Sequence, residues 1–298
     1  MTTVSLLSIA ETERESGIHR DTLRVWERRY GFPAPLRNER GERAYTDGQL
    51  NRLRLLKQLL DCGMRPAKII HLDENTLRQL ANQLNETTPV PALVDSLLEA
   101  LIVGPRRSLE QQLEELLQKN GLRNFLIEVV APMNHAVGDA WFSGRIGVLD
   151  EHYYSEVVIR LLNAELSRMS KNSGYPRVLL TTLPGEQHGI GLLMAACMLC
   201  LEGAETFSLG VQTPLDEIVR GAVESQCNIV GLSCSEYMNR RTISSQLVRL
   251  RKLLPAKTSI WAGGSGVSKI QYLPTNIQLF AELHQIPSAI EAVKNKVI

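Results

Sequence analysis

The chain has no run approaching the roughly 18 to 20 consecutive apolar residues that a membrane-spanning helix requires. Its first residues also lack the basic-then-apolar pattern of a secretory leader. No membrane segment is expected, and the default location is the cytoplasm. Cysteine is sparse: the five present (Cys62, Cys197, Cys200, Cys227, Cys234) are an odd number in a 298-residue chain. That excludes the disulfide framework of a small secreted protein and predicts thiols in a reducing compartment. Internal repeats and low-complexity tracts are missing as well. Net charge is nearly absent, with 33 Lys plus Arg against 32 Asp plus Glu.

The balance is local, however. Residues 1–71 hold 13 basic and 9 acidic side chains, 72–139 hold 5 and 10, and 140–298 hold 15 and 13. The basic segment is therefore the N-terminal one. At 44% apolar, the chain can fill the cores of two or three domains, which is what its length suggests.

Three segments are legible. In residues 1–75, Ser8 stands three residues before Glu11, the spacing of a capping box, and predicts a helix that stops near Gly17. A second helix is expected from His19 or Asp21 to Tyr30, with Leu23, Trp26 and Tyr30 on one face and Arg20, Arg24, Arg28 and Arg29 among them. Gly31 is its natural C-cap. Phe32–Tyr45, with two prolines and a glycine, predicts a turn-rich strand pair projecting Arg37, Arg40 and Arg43. Helical spacing resumes over Thr46–Cys62. A helix, a short turn and an arginine-bearing second helix have the size of a helix-turn-helix, whose second helix enters the major groove.

The second segment, 90–171, is expected as a four-helix bundle. Its apolar stripes run through Leu93–Leu101, Leu109–Leu117, Leu126–Trp141 and Val148–Met169. Asn82–Pro91 is the expected linker before it. In the third segment, 175–298, strands at Val178–Leu183, Thr206–Leu209, Ile229–Ser233, Ser259–Ala262 and Ile277–Phe280 alternate with helices beginning near Ile190, Pro214, Arg240, Ser265 and Pro287. That alternation predicts a five-stranded parallel α/β Rossmann-like domain, binding ligands beyond the carboxyl ends of its strands. There, in LPGEQHGIG (Leu183–Gly191), His188 is placed to ligate a transition metal, and Glu186 to accept its other ring N–H. A single ligand does not make a zinc site; a metal carried in a macrocycle fits better. Cys197-x-x-Cys200 falls in an apolar helix and is expected as buried structure.

Three motifs resemble known families. TLRVWERRYGFPAPLRNERGERAYT (Thr22–Thr46) resembles the winged-helix domain of the MerR superfamily. The resemblance implies double-stranded DNA with a palindromic operator as partner, and Arg20, Thr22, Arg24, Arg29, Arg37, Arg40 and Arg43 as contacts. Trp26 is expected in the core, whereas Tyr30 and Tyr45 are open between core and phosphate contact. Glu186-x-His188-x-x-Gly191, then Ser233-x-Ser235 and Gly263-Gly264, resemble the cobalamin-binding Rossmann domain. In that family the His is the lower axial cobalt ligand, and the serine and glycines accommodate the displaced nucleotide tail. The usual pattern carries Asp at position 186 and Leu at position 235.

VGDAWFSGRIGVLDEHYYS (Val137–Ser155) resembles the helical cap of light-sensing cobalamin regulators of the CarH/LitR type. That implies Trp141, Glu151 and His152 at the upper face of the cofactor, adenosylcobalamin, between cap and Rossmann domain. The whole predicts a multidomain regulator rather than an enzyme: a MerR-like winged helix-turn-helix (1–75), a helical cap (90–171) and a Rossmann-like domain (175–298). It is expected to act as a homo-oligomer, dimer or tetramer, that light alters. Two other functions share these motifs: a cobalamin-independent regulator controlled by a partner protein, and a corrinoid methyltransferase subunit.

Overall fold

The computed structural model describes residues 6–38, 40–61, 64–84, 91–169, 174–236, 238–268, 270 and 273–296. Strand β1 (Leu6–Ser8) leads into α1 (Ile9–Ser16). The capping box forms as spaced: Ser8 Oγ accepts from the Glu11 N–H at 3.3 Å, and Glu11 Oε2 accepts from the Ser8 N–H at 2.7 Å. Helix α1 ends at Gly17 and α2 (Arg20–Tyr30) at Gly31, both in the left-handed conformation. Strands β2 (Leu36–Arg37) and β3 (Arg43–Thr46) form the wing, and β1 adds a third strand in the order β1-β3-β2. At three residues, β1 is too short to show an alternating pattern, and the sequence reading missed it.

Helices α3 (Asp47–Asp61), α4 (Pro66–Ile69) and α5 (Glu74–Leu84) complete this part. Leu23, Trp26, Leu53, Leu56, Leu59, Ile69, Leu77 and Ala81 share one core. That core takes Trp26 as expected and continues past residue 75 into α5. Cys62 and residues 85–90 of the expected linker lie outside the described residues.

The helical stretch comprises α6 (Ala92–Val103), α7 (Arg106–Asn124), α8 (Ala131–Phe142) and α9 (Val148–Met169). The expected uninterrupted helix from Leu126 to Trp141 is divided: Phe125–Val130 is π-helical, and the Ala131 N–H bonds back five residues to Leu126. Pro132 has no N–H to give to an α-helical ladder, and the wider turn precedes it. By compactness the chain forms two units, residues 1–104 with 133–152, and residues 105–132 with 153–298.

In the second unit, β4 (Arg177–Thr182), β5 (Glu205–Ser208), β6 (Ile229–Ser233), β7 (Ser259–Gly263) and β8 (Ile277–Phe280) form a wholly parallel sheet in the order β5-β4-β6-β7-β8. Helices α10 (Ile190–Leu201), α11 (Leu215–Glu224), α12 (Arg240–Leu253) and α13 (Ile286–Asn295) alternate with the strands. Leu179, Val230, Leu232, Ile260 and Ala262 fill the core against α11 and α12, which is why the central strands read as continuous apolar runs.

One expectation fails here. The helix proposed near Ser265 is a single 3-10 turn, Ser265–Val267. Three glycines among residues 263–266 make helix propagation unfavourable. The register aligns Thr182, Ser233 and Gly263 across β4, β6 and β7, so the loops after them share one edge. Cys197 is buried, and burial pushes its thiol up to about 12; Cys200 is only half-buried, its sulfur 3.3 Å from Thr206 Oγ1, so the expected burial holds for the first cysteine of the pair and in part for the second. Among the described residues, no helix is long and apolar enough to cross a membrane.

Candidate functional site

Two surfaces carry the chemistry. On the first, α2 begins at His19, whose Nδ1 accepts the Asp21 N–H at 3.3 Å. Arg20, Arg24, Arg28 and Arg29 are exposed along α2, as are Arg37 and Arg40 on the wing; Thr22 is half-buried. Several are steered by neighbours: Arg20 pairs with Glu13 at 2.8 Å, Arg24 with Asp21 at 3.1 Å, and Arg37 donates to the Gly41 carbonyl at 2.8 Å. Arg43 differs, binding Glu27 through Nε (2.7 Å) and Nη2 (3.4 Å) and so tying the wing to α2.

Tyr30 packs on the core, edge-on to His71 with ring centroids 6.0 Å apart. Tyr45 is completely buried, which answers the open question in favour of core for its ring. Its hydroxyl nevertheless has no hydrogen-bond partner among the described residues. Burial and the nearby Glu27 carboxylate push the phenol up, against the pull of Arg43, Arg24 and Arg37. That hydroxyl therefore lies within the field of three arginines. Val25, 41% exposed on α2, is an apolar side chain on this surface that the arginine pattern concealed.

The second surface lies at the carboxyl edge of the parallel sheet. Glu186, only 1% exposed, accepts four hydrogen bonds. Oε1 takes the His188 N–H (2.9 Å) and lies 2.6 Å from His188 Nδ1; Oε2 takes the Ser235 N–H (2.8 Å) and the Ser235 hydroxyl (2.6 Å). These fill the acceptor capacity of a carboxylate. Burial pushes its carboxyl up, but the bonds from His188 and Ser235 outweigh that and bring it below its ordinary value. An ionised Glu186 requires the proton on His188 Nδ1, which makes Nε2 the nitrogen through which the ring would ligate a metal. The His188 side chain is 55% exposed.

Sequence reading noted Ser235 only as a departure from the family pattern; the structure makes it the second clamp on Glu186. No local signal marks it: its role follows from the adjacency of β4 and β6, which brings the residues after Ser233 beside those after Thr182.

Two of the motif glycines leave no room for a side chain. A Cβ on Gly191 would come within 2.7 Å of Ser233 Oγ, and one on Gly264 within 2.5 Å of the Cys234 carbonyl, where φ is also +104°. Gly263 is less constrained, since its Cβ would meet the Phe280 carbonyl at an ordinary 3.5 Å. Among the described residues, no three His, Cys, Asp or Glu side chains group around a bare metal ion. One oriented imidazole, at a sheet edge whose loops carry glycines with no room for a side chain, fits a metal that brings its other ligands and an extended appendage.

In the first unit, Trp141 lies in the last turn of α8, edge-on to Phe142 with ring centroids 5.1 Å apart. Glu151 and His152 open α9, with His152 Nδ1 2.6 Å from Glu151 Oε2. Exposure differs within that pair, the imidazole being 72% exposed and the carboxylate 34%.

Comparison with known proteins fits this geometry. Residues 7–76 match the MerR HTH family regulatory protein model, and residues 93–164 and 176–276 match two B12 binding domain models. The chain is 30% identical over 263 residues to the HTH-type transcriptional repressor CarH of Myxococcus xanthus, covering 86% of this chain and 88% of that one. The chain belongs to the CarH family of MerR-type regulators. It is also 24% identical to the repressor CarA of the same organism, over 98% of this chain and 97% of that one. A monomethylamine corrinoid protein of Methanosarcina barkeri shares the fold at a TM-score of 0.53 and 18% identity, covering 66% of this chain and 96% of that one.

As a CarH-family member the chain is a DNA-binding, cobalamin-binding transcriptional regulator and not an enzyme. Helix α2 and the wing fall within its MerR match. Glu186, His188, Gly191, Ser233, Gly263 and Gly264 fall within the second B12 match, and Trp141, Glu151 and His152 within the first.

Proposed function

We propose that this protein is a light-responsive repressor that uses adenosylcobalamin as its chromophore. The observation that carries this reading is the His188 ring, half-exposed at the sheet's carboxyl edge and held at Nδ1 by a buried Glu186. When bound, adenosylcobalamin supplies a cobalt–carbon bond that visible light cleaves. His188 would hold the cobalt through Nε2, with Glu186 keeping the proton on Nδ1 and Ser235 keeping Glu186 in place. Gly191, Ser233, Gly263 and Gly264 would receive the nucleotide tail. Trp141, Glu151 and His152 would contact the adenosyl group.

The DNA surface is Arg20, Thr22, Arg24, Arg29, Arg37 and Arg40, with Tyr30, Arg43 and Tyr45 supporting it from the core and the wing, acting on a palindromic operator. We take 1–75, 90–171 and 175–298 as its DNA-binding, cap and Rossmann modules. Linking several heads in a homo-oligomer, dimer or tetramer, raises their effective concentration on DNA. Contacts of Trp141, Glu151 and His152 with the bound group would favour the assembly, and their loss would shift the population. The expected compartment is the cytoplasm.

The test is to mix the purified protein with adenosylcobalamin in the dark, remove free ligand, and record absorbance and mass by size exclusion before and after green light. Retained cofactor and a light-dependent mass are expected, and His188→Ala should reduce retention at least tenfold. Wild-type protein that retains no cobalamin would overturn this reading and favour control by a partner regulatory protein.

A further inference from the structure

Arg54 of α3 is 5% exposed, a rare environment for a guanidinium. Its Nη2 donates to Glu15 Oε2 at 3.2 Å, its Nε to the Glu15 carbonyl at 3.2 Å, and its Nη1 to Asn51 Oδ1 at 3.5 Å. The carbon at the centre of the guanidinium lies 4.4 Å from the centroid of the Trp141 ring. Glu15 stands in the last turn of α1, the first helix of the helix-turn-helix, and Trp141 in the last turn of α8. A neighbouring contact runs parallel: the backbone at Gly144 stands against Asn51, whose amide would lie 3.4 Å from a Cβ there. All of these residues belong to the same compact unit.

The chemistry of the group makes this more than an anchor. Guanidinium hydrogen bonds lie in its plane, whereas its faces attract aromatic rings. One orientation of Arg54 therefore serves both α1 and the indole, and moving either partner disturbs the contact with the other. Arg54 cannot simply leave Glu15, because that would strand two buried charges.

We propose that Arg54 is a positioning residue that couples Trp141 to the helix-turn-helix, so that the setting of the indole and the affinity for DNA depend on each other. The cofactor-dependent part rests on the reading of Trp141 given above; the coupling of Arg54 and Trp141 to DNA affinity does not. Linkage makes the effect reciprocal.

The probe is a duplex selected from a random-sequence pool by the full-length protein. Its affinity is measured for wild type, Arg54→Lys, Trp141→Leu and the double variant, without cofactor, with adenosylcobalamin in the dark, and after green light. Lysine keeps the charge opposite Glu15 but gives up the planar face. Without cofactor, each single variant should change affinity threefold or more, and the double variant should match the larger single effect instead of multiplying both. With cofactor, Arg54→Lys should keep the wild-type absorbance spectrum yet lose at least tenfold of the dark-to-light affinity ratio.

Multiplying effects, or a wild-type ratio in Arg54→Lys, would overturn the proposal. A wild-type protein that retains no cobalamin would defeat the reading of the cofactor site, while the cofactor-free cycle still decides the coupling. Should Arg54→Lys not fold, Glu15→Gln replaces it in the cycle, loosening the same anchor from the α1 side.

Discussion

Among the described residues, each compact unit buries one glutamate almost completely, and the two differ in what they leave for a ligand. Glu15 faces a full cation, Arg54, which is itself buried and covered by the Trp141 indole. Glu186 is held by four donors, two backbone N–H groups, a hydroxyl and an imidazole, and the imidazole is largely exposed. The first arrangement matches charge to charge inside the fold; the second fixes the tautomer and direction of a ring that faces outward. A buried carboxylate marks a receptive site when its partners include an exposed, metal-competent group, and a framework element when they are buried with it.

That contrast can be broken at either end. Glu15→Ala strands the Arg54 cation, and the first unit should lose about 3–5 kcal/mol of stability, read by urea unfolding. A loss under about 1 kcal/mol would mean that Asn51 and the indole satisfy Arg54 without Glu15. In the second unit, Gly264→Ala forces a side chain into φ +104° and against the Cys234 carbonyl, which should cost at least about 2 kcal/mol. Gly263→Ala, with an ordinary contact instead, should change stability by less than about 1 kcal/mol. Equal effects at the two positions would remove the case for a close fit at Gly264.

Glu186→Gln should cost about 1–3 kcal/mol, because an amide cannot accept at both ends from four donors. It should also weaken cobalamin retention about 10- to 100-fold, as removal of a carboxylate behind a metal-bound histidine does. Retention unchanged beside a measurable loss of stability would make Glu186 a framework residue like Glu15.

Much of this was legible in the sequence because the signals were local. The Ser8–Glu11 spacing, the glycine caps and the alternation of apolar runs each depend on a few consecutive residues, and the corresponding elements form where expected. The His188 motif was legible for the same reason, since its carboxylate lies two residues away. Ser235 was not, because its role depends on which strand lies beside β4. Arg54 was hidden more deeply: within α3 it occupies a helical position like any other arginine, and only tertiary packing brings Glu15, 39 residues away, and Trp141 to it. The π-helical turn before Pro132 and the missing helix after Gly264 are failures of another kind, where proline and glycine chemistry overrode an apolar pattern.

The smallest expected effect separates arginines that the sequence could not tell apart. Arg43 grips Glu27 through two nitrogens, and the hydrogen bond to Glu27 raises its already high pKa against the opposing effect of burial. Its first task is to fix the wing against α2. Arg24 is exposed and paired with Asp21 along its own helix, an arrangement worth little to stability. Arg43→Ala should therefore lower stability by up to about 1 kcal/mol and leave the dependence of log affinity on log salt nearly unchanged. Arg24→Ala should leave stability within about 0.5 kcal/mol of wild type and reduce that salt slope by about 1, the signature of a lost phosphate contact. Thermal unfolding and salt titrations of duplex binding on the two variants measure both quantities. The opposite assignment, a reduced slope for Arg43→Ala, would mean that DNA draws Arg43 away from Glu27 and that the wing is rebuilt on binding.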